Sequence, residues 1–134
     1  MHPRRTPARR RDAGAAVTDF VLVGTLLALV FAAVLQFGLA LHVRNTVVDA
    51  AIAGARVGAM VDAGPEAGRA HTRMLLTGSL GSAYAKDVSV TRTVEAGLPV
   101  VTVTVRAPLP VLGPLGPAGA WELSGRALDE GYTG

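Results

Sequence analysis

The chain has 134 residues, half of them apolar, and no cysteine. That is room for one small domain plus a membrane segment, and it excludes disulfides and thiolate metal sites. The formal charge of +3 is unevenly placed, with Arg4, Arg5, Arg9, Arg10 and Arg11 against Asp12 in residues 1–14 and a slightly acidic remainder. Nucleic-acid binding would need basic side chains and stacking aromatics spread over a folded face, and neither is present after residue 14, so no nucleic acid is expected as a partner.

Residues 1–14 (MHPRRTPARRRDAG) combine two prolines with a charge block and read as a solvated, disordered leader. Asp19 follows, and then residues 20–41 carry no charge at all. Those 22 residues would extend roughly 33 Å as a helix, enough for a hydrocarbon core of about 30 Å. The arginines on the N-terminal side predict a single span with the N-terminus cytoplasmic and residues 42–134 on the far side. A signal peptide cut near Gly38-Leu39-Ala40 is the competing reading, although ~7–15 residues is the usual length of such an apolar region. On that reading the product is a secreted small binding domain; a small binding domain that stays anchored in the membrane, unprocessed, is the other alternative.

The helical pattern continues through residues 42–61 (HVRNTVVDAAIAGARVGAMV). His42, Arg44, Asn45, Asp49, Arg56 and Asp62 are spaced as on a helix that has left the lipid. Small residues recur every four positions, with Ala50, Gly54 and Gly58 on one row and Ala51, Ala55 and Ala59 on the next. Such rows let another backbone approach closely, which marks Ala50, Gly54 and Gly58 as helix-packing positions. The pattern predicts one long helix from about residue 16 to about residue 61, ended by Asp62-Ala63-Gly64-Pro65. A second helix is predicted from Pro65 to about Leu80, with Ala67, Ala70, Met74, Leu75 and Leu76 as its apolar stripe.

After it the period changes from helical to alternating. Residues 87–95 place Val88, Val90 and Val94 on one side, with Arg92 interrupting the stripe. Ala96-Gly97-Leu98-Pro99 reads as a turn, and residues 100–107 place Val101, Val103 and Val105 on one face. Residues 108–119, with four prolines and three glycines, read as a loop. Residues 120–128 read as a third strand with Trp121 and Leu123 inward, and the last six residues are expected to fray. The predicted fold is α+β: a long N-terminal helix, transmembrane over residues 15–41, and a second helix packed on a small three-stranded antiparallel sheet within residues 42–134. A valine face on a sheet needs a cover, and the amphipathic half of the long helix is suited to it.

No catalytic group is expected. His2, His42 and His71 are scattered, no nucleophile–base arrangement is recognisable, and the Gly78–Gly81 stretch lacks the ending of a phosphate loop. No metal, cofactor or small-molecule substrate is therefore expected. Arg56 reads as a residue that pairs within the domain, and Trp121 as a core anchor.

The stretch Gly14-Ala15-Ala16-Val17-Thr18-Asp19-Phe20, followed by a long apolar helix, resembles the processing site of type IV pilin-like proteins. Those carry a glycine before the cut, a small residue after it, an acid at the fifth mature position and then phenylalanine. The wider chain resembles the TadE-like pseudopilins of the tight-adherence (Tad/Flp) pilus system. Gln36-Phe37-Gly38-Leu39-Ala40-Leu41-His42-Val43-Arg44-Asn45 matches that family's Phe-Gly-x-x-Leu-x-x-x-Asn stretch. Ala50-Ala51-Ile52-Ala53-Gly54-Ala55-Arg56 matches its Ala-Ala-Arg-Glu-Gly-Ala-Arg stretch. The departures are Asp19 for the usual glutamate, and Ile52-Ala53 for Arg-Glu.

The resemblance implies a non-enzymatic minor pseudopilin of the bacterial cytoplasmic membrane, cut between Gly14 and Ala15 by a prepilin peptidase. Asp19 and Phe20 would serve subunit assembly. The implied partners are the membrane, the peptidase, other pilin-like subunits and the Tad secretion platform. The implied role is pilus assembly or surface adhesion.

Overall fold

A computed structural model describes residues 9–110 and 119–131, with side chains from Arg10 onward. The elements in order are α1 (Arg9–Ala59), α2 (Gly64–Ser79), a 3-10 turn (Ser82–Ala85), β1 (Val88–Glu95), β2 (Leu98–Pro108) and β3 (Ala120–Leu128). The architecture is α+β, as the sequence predicts. By contacts the chain divides into two units, one up to Phe37 and one from Gly38 onward.

The first unit contains the apolar part of α1. It is the one helix among the described residues long and apolar enough to cross a membrane, with a mean hydropathy of 2.5 in its most apolar window. Phe20, Leu27, Phe31 and Phe37 all stand exposed, as do the valines and other leucines between them. The helix already includes Arg9, well ahead of the start expected near residue 16. Residues 9–14 contain no proline, and Asp12 lies in the first turn, where the helix dipole favours an acid. That part of the expected leader is therefore helical, while residues 1–8 lie outside the described residues.

In the second unit the remainder of α1 is amphipathic. Val43, Val47, Ala50, Ala51, Gly54, Ala55, Gly58 and Ala59 are buried, and His42, Arg44, Asn45, Asp49 and Arg56 are exposed. The polar positions thus sit where helical spacing puts them. β1, β2 and β3 form an antiparallel sheet in that order. Across it Val88 faces Val105 and Val90 faces Val103, while Val105 faces Leu123 and Val101 faces Ala127. Val101, Val103 and Val105 are fully buried, and with Val47 and Leu76 they are the large apolar side chains at the centre of the core. Each such burial contributes about 1.5–3 kcal/mol.

The turn between β1 and β2 is tighter than the four residues expected. Glu95 pairs with Leu98, leaving only Ala96 and Gly97 in the loop. Both have positive φ, 52° and 80°, as the primed two-residue hairpin turns require. Val94, expected on the apolar face, is 73% exposed. It lies next to the turn, where the helical cover ends. Arg92 on the same face reaches Asp129, with Nε and Oδ2 3.2 Å apart.

The chain end is more firmly held than expected. The Asp129 N–H donates to the Pro99 carbonyl at 2.9 Å, and the Glu130 N–H donates to the Ala59 carbonyl at 2.9 Å. The second bond satisfies one of the carbonyls left open at the C-terminus of α1. Residues 132–134, and residues 111–118 of the expected proline loop, lie outside the described residues.

Candidate functional site: the front of the N-terminal helix and the small-residue junction

Two places concentrate the residues singled out by the sequence, one in each unit. The first is the front of α1. Gly14, Ala15, Asp19 and Phe20 are all exposed there, and a side chain at Gly14 would meet no atom within 4 Å. Gly14 and Ala15 are already inside the helix, about one and a half turns beyond Arg9. Thr18 Oγ1 donates to the Gly14 carbonyl at 2.9 Å. Among the described residues Asp19 has no ion-pair partner. It stands as a single acid at the edge of the uncharged stretch of the helix, residues 20–41.

The second place is the junction of α1, α2 and β3 in the C-terminal unit. A Cβ added at Gly54 would lie 2.7 Å from the Gly68 carbonyl oxygen, and one at Gly58 would lie 3.3 Å from Val101 Cγ1. A Cβ at Gly68 would lie 2.5 Å from the Gly54 carbonyl oxygen and 3.0 Å from Gly58 Cα. The two helix backbones therefore touch at three glycines, which is the approach that a missing side chain permits. Ala50 is buried on the same row, and its carbonyl accepts a hydrogen bond from Thr72 Oγ1 at 3.3 Å. That hydroxyl also reaches the Gly68 carbonyl at 3.0 Å.

This contact explains why the predicted stripe of α2 is displaced. The buried residues are Gly68, Thr72 and Leu76, whereas Ala70 and Met74 are exposed. Close backbone approach selects small side chains at Gly68 and Thr72, while Leu76 is buried as expected and Leu75 packs half-buried against the core. The sequence carries one signal for Gly68 and Gly125: each is an isolated glycine inside a helix or strand pattern. At Gly125 an added Cβ would lie 2.5 Å from the Ala51 carbonyl carbon, so β3 rests directly on the α1 backbone.

The other candidates are ordinary structural groups. Arg56 is exposed and has no ion pair among the described residues, against the expectation that it pairs within the domain. Trp121 is half-buried at the end of the sheet, opposite Ala107. On the outer sheet face Arg106 pairs with Glu122 at 3.4 Å and Arg126 with Glu95 at 3.1 Å. These polar groups bridge strands rather than converge on a common point.

Residues 14–56 match the family model described as TadE-like protein. Over that span the chain is similar to TadE-like proteins. No curated protein and no solved structure matches it. The TadE-like segment begins at the glycine that precedes Ala15 and ends at Arg56, just past Gly54 on the small-residue row. It covers neither α2 nor the sheet. The TadE-like family implies involvement in a Tad pilus-related system, and it is a family of pilus components rather than a known enzyme family. The exposed apolar helix of the TadE-like segment fits a membrane anchor in such a system.

Proposed function

We propose that the chain is a minor pilin-like subunit of a Tad/Flp-type pilus. It is inserted with its N-terminus cytoplasmic and its C-terminal unit outside, cut after Gly14 by a prepilin peptidase, and assembled with other pilin-like subunits on the Tad secretion platform. One observation carries this reading: α1 is exposed and uncharged on all sides over residues 20–35, within the segment that matches the TadE-like family.

The physical logic is a transfer of the apolar helix from lipid to a bundle of similar helices. Lipid already satisfies apolar side chains, so association rests on close packing and on polar pairing. Cutting frees an amine at Ala15. Drawn into an apolar bundle, that amine needs a counter-charge, and a carboxylate five residues into the mature chain supplies one. Asp19 of one subunit thereby sets the register of its neighbour, with Phe20 beside it. The C-terminal unit serves assembly contacts or adhesion at the surface.

N-terminal sequencing of the protein from membrane and surface fractions tests the proposal. A start at Ala15 is expected, and substitution of Gly14 by a bulky residue should make the precursor accumulate. A start at Leu41 would indicate a secreted binding domain instead. A chain that retains Met1 in every fraction would reduce it to a plain anchor.

A further inference from the structure

We infer that Thr18 restrains the cutting of the Gly14–Ala15 bond by holding the Gly14 carbonyl in the helix, an inference that rests on the processing proposed above. α1 already includes Arg9, so the bond lies within regular helix rather than in an extended leader. The Gly14 carbonyl accepts the Thr18 hydroxyl at 2.9 Å. Four residues on, the Thr18 N–H is also the helical donor to that oxygen. One residue therefore presents two donors to the carbonyl whose carbon must be attacked.

In the cut, the oxygen of water bonds to the Gly14 carbonyl carbon. The C–N bond to Ala15 breaks, and the Ala15 nitrogen leaves as an amine carrying a proton. A peptidase reaches that carbon only when the turn is opened, because in a helix the carbonyl lies along the axis with its oxygen engaged by the following turn. Opening from the Arg9 side breaks the helical bonds ahead of Gly14, each a single backbone bond. Glycine is the poorest helix former after proline, and Gly14 has open space around it. The Thr18 hydroxyl adds a second bond to that resistance, at the scissile carbonyl itself. Thr25 provides an internal comparison: its hydroxyl donates to the Val21 carbonyl at 2.7 Å, with the same geometry but away from the bond to be cut.

The test uses the full chain in membranes with a prepilin peptidase, following conversion of precursor to mature protein. Thr18→Val removes the donor while keeping the β-branched shape and a similar helix propensity. Cutting should then be roughly fivefold faster, the weight of one net hydrogen bond. Thr18→Ser keeps the donor and should convert at nearly the wild-type rate, and Thr25→Val should leave the rate unchanged. The inference is overturned if Thr18→Val is cut no faster than wild type, if Thr18→Ser accelerates as much, or if Thr25→Val matches Thr18→Val. Should the wild-type chain itself not be cut at Ala15, the processing reading falls first and takes this restraint with it.

Discussion

Replacing Gly125 by alanine tests how closely β3 lies on α1. The new Cβ would sit 2.5 Å from the Ala51 carbonyl carbon and 2.6 Å from Ile52 Cα, whereas ordinary contact begins at 3.4 Å. Helix and strand must therefore separate by roughly 1 Å, and the atoms in the way are backbone, which cannot rotate aside. Gly125 is buried opposite Val103, at the centre of the sheet face that carries the core. Overpacking of this kind costs about 1–3 kcal/mol, and the upper end applies where no side chain can yield. The reduced freedom of the unfolded chain returns about 0.4–1 kcal/mol. The net loss is about 2 kcal/mol, which in a unit of this size lowers Tm by roughly 8–16 °C. Trp121, the only tryptophan, stands on β3 and reports the transition by fluorescence of the full chain in detergent. A Gly125→Ala protein melting within about 2 °C of wild type would refute the close approach, since the same shift in Tm corresponds to well under 1 kcal/mol.

Three further substitutions read other parts of the fold. Gly78→Ala makes the same chemical change on the exposed side of α2, where an added Cβ meets nothing within 4 Å, so it should stabilise by about 0.5–1 kcal/mol in the same melt. Thr72→Val removes the buried hydroxyl that donates to the Ala50 and Gly68 carbonyls. A loss of about 1 kcal/mol is expected, measured as a lower urea midpoint with unchanged m-value. Ala96→Asn relieves a non-glycine residue held at φ 52° and should raise the stability of the unit by about 0.5–1 kcal/mol. A destabilised Ala96→Asn protein would contradict the turn geometry.

Much of the chain was legible because local chemistry leaves a periodic trace. The uncharged residues 20–41, the alternation of Val101, Val103 and Val105, and the glycine–proline break after α1 each follow from a spacing that one element dictates by itself. The same holds for the front of α1. Gly14, Ala15, Asp19 and Phe20 stand together because they are neighbours in sequence, and no fold is needed to bring them there.

What the sequence by itself determined is thus the order and type of the elements, the apolar span and the polar face of the later part of α1, since helix and strand periods are properties of the backbone alone. Tertiary structure decided which residues are inner where two backbones meet. Gly68, Thr72 and Gly125 are buried because α1 lies against them, and a distant helix leaves no mark on local periodicity. It also decided the fate of the chain end. Asp129 and Glu130 look like a fraying tail, yet they bond to Pro99 and Ala59, partners that only the closed sheet and the end of α1 place within reach.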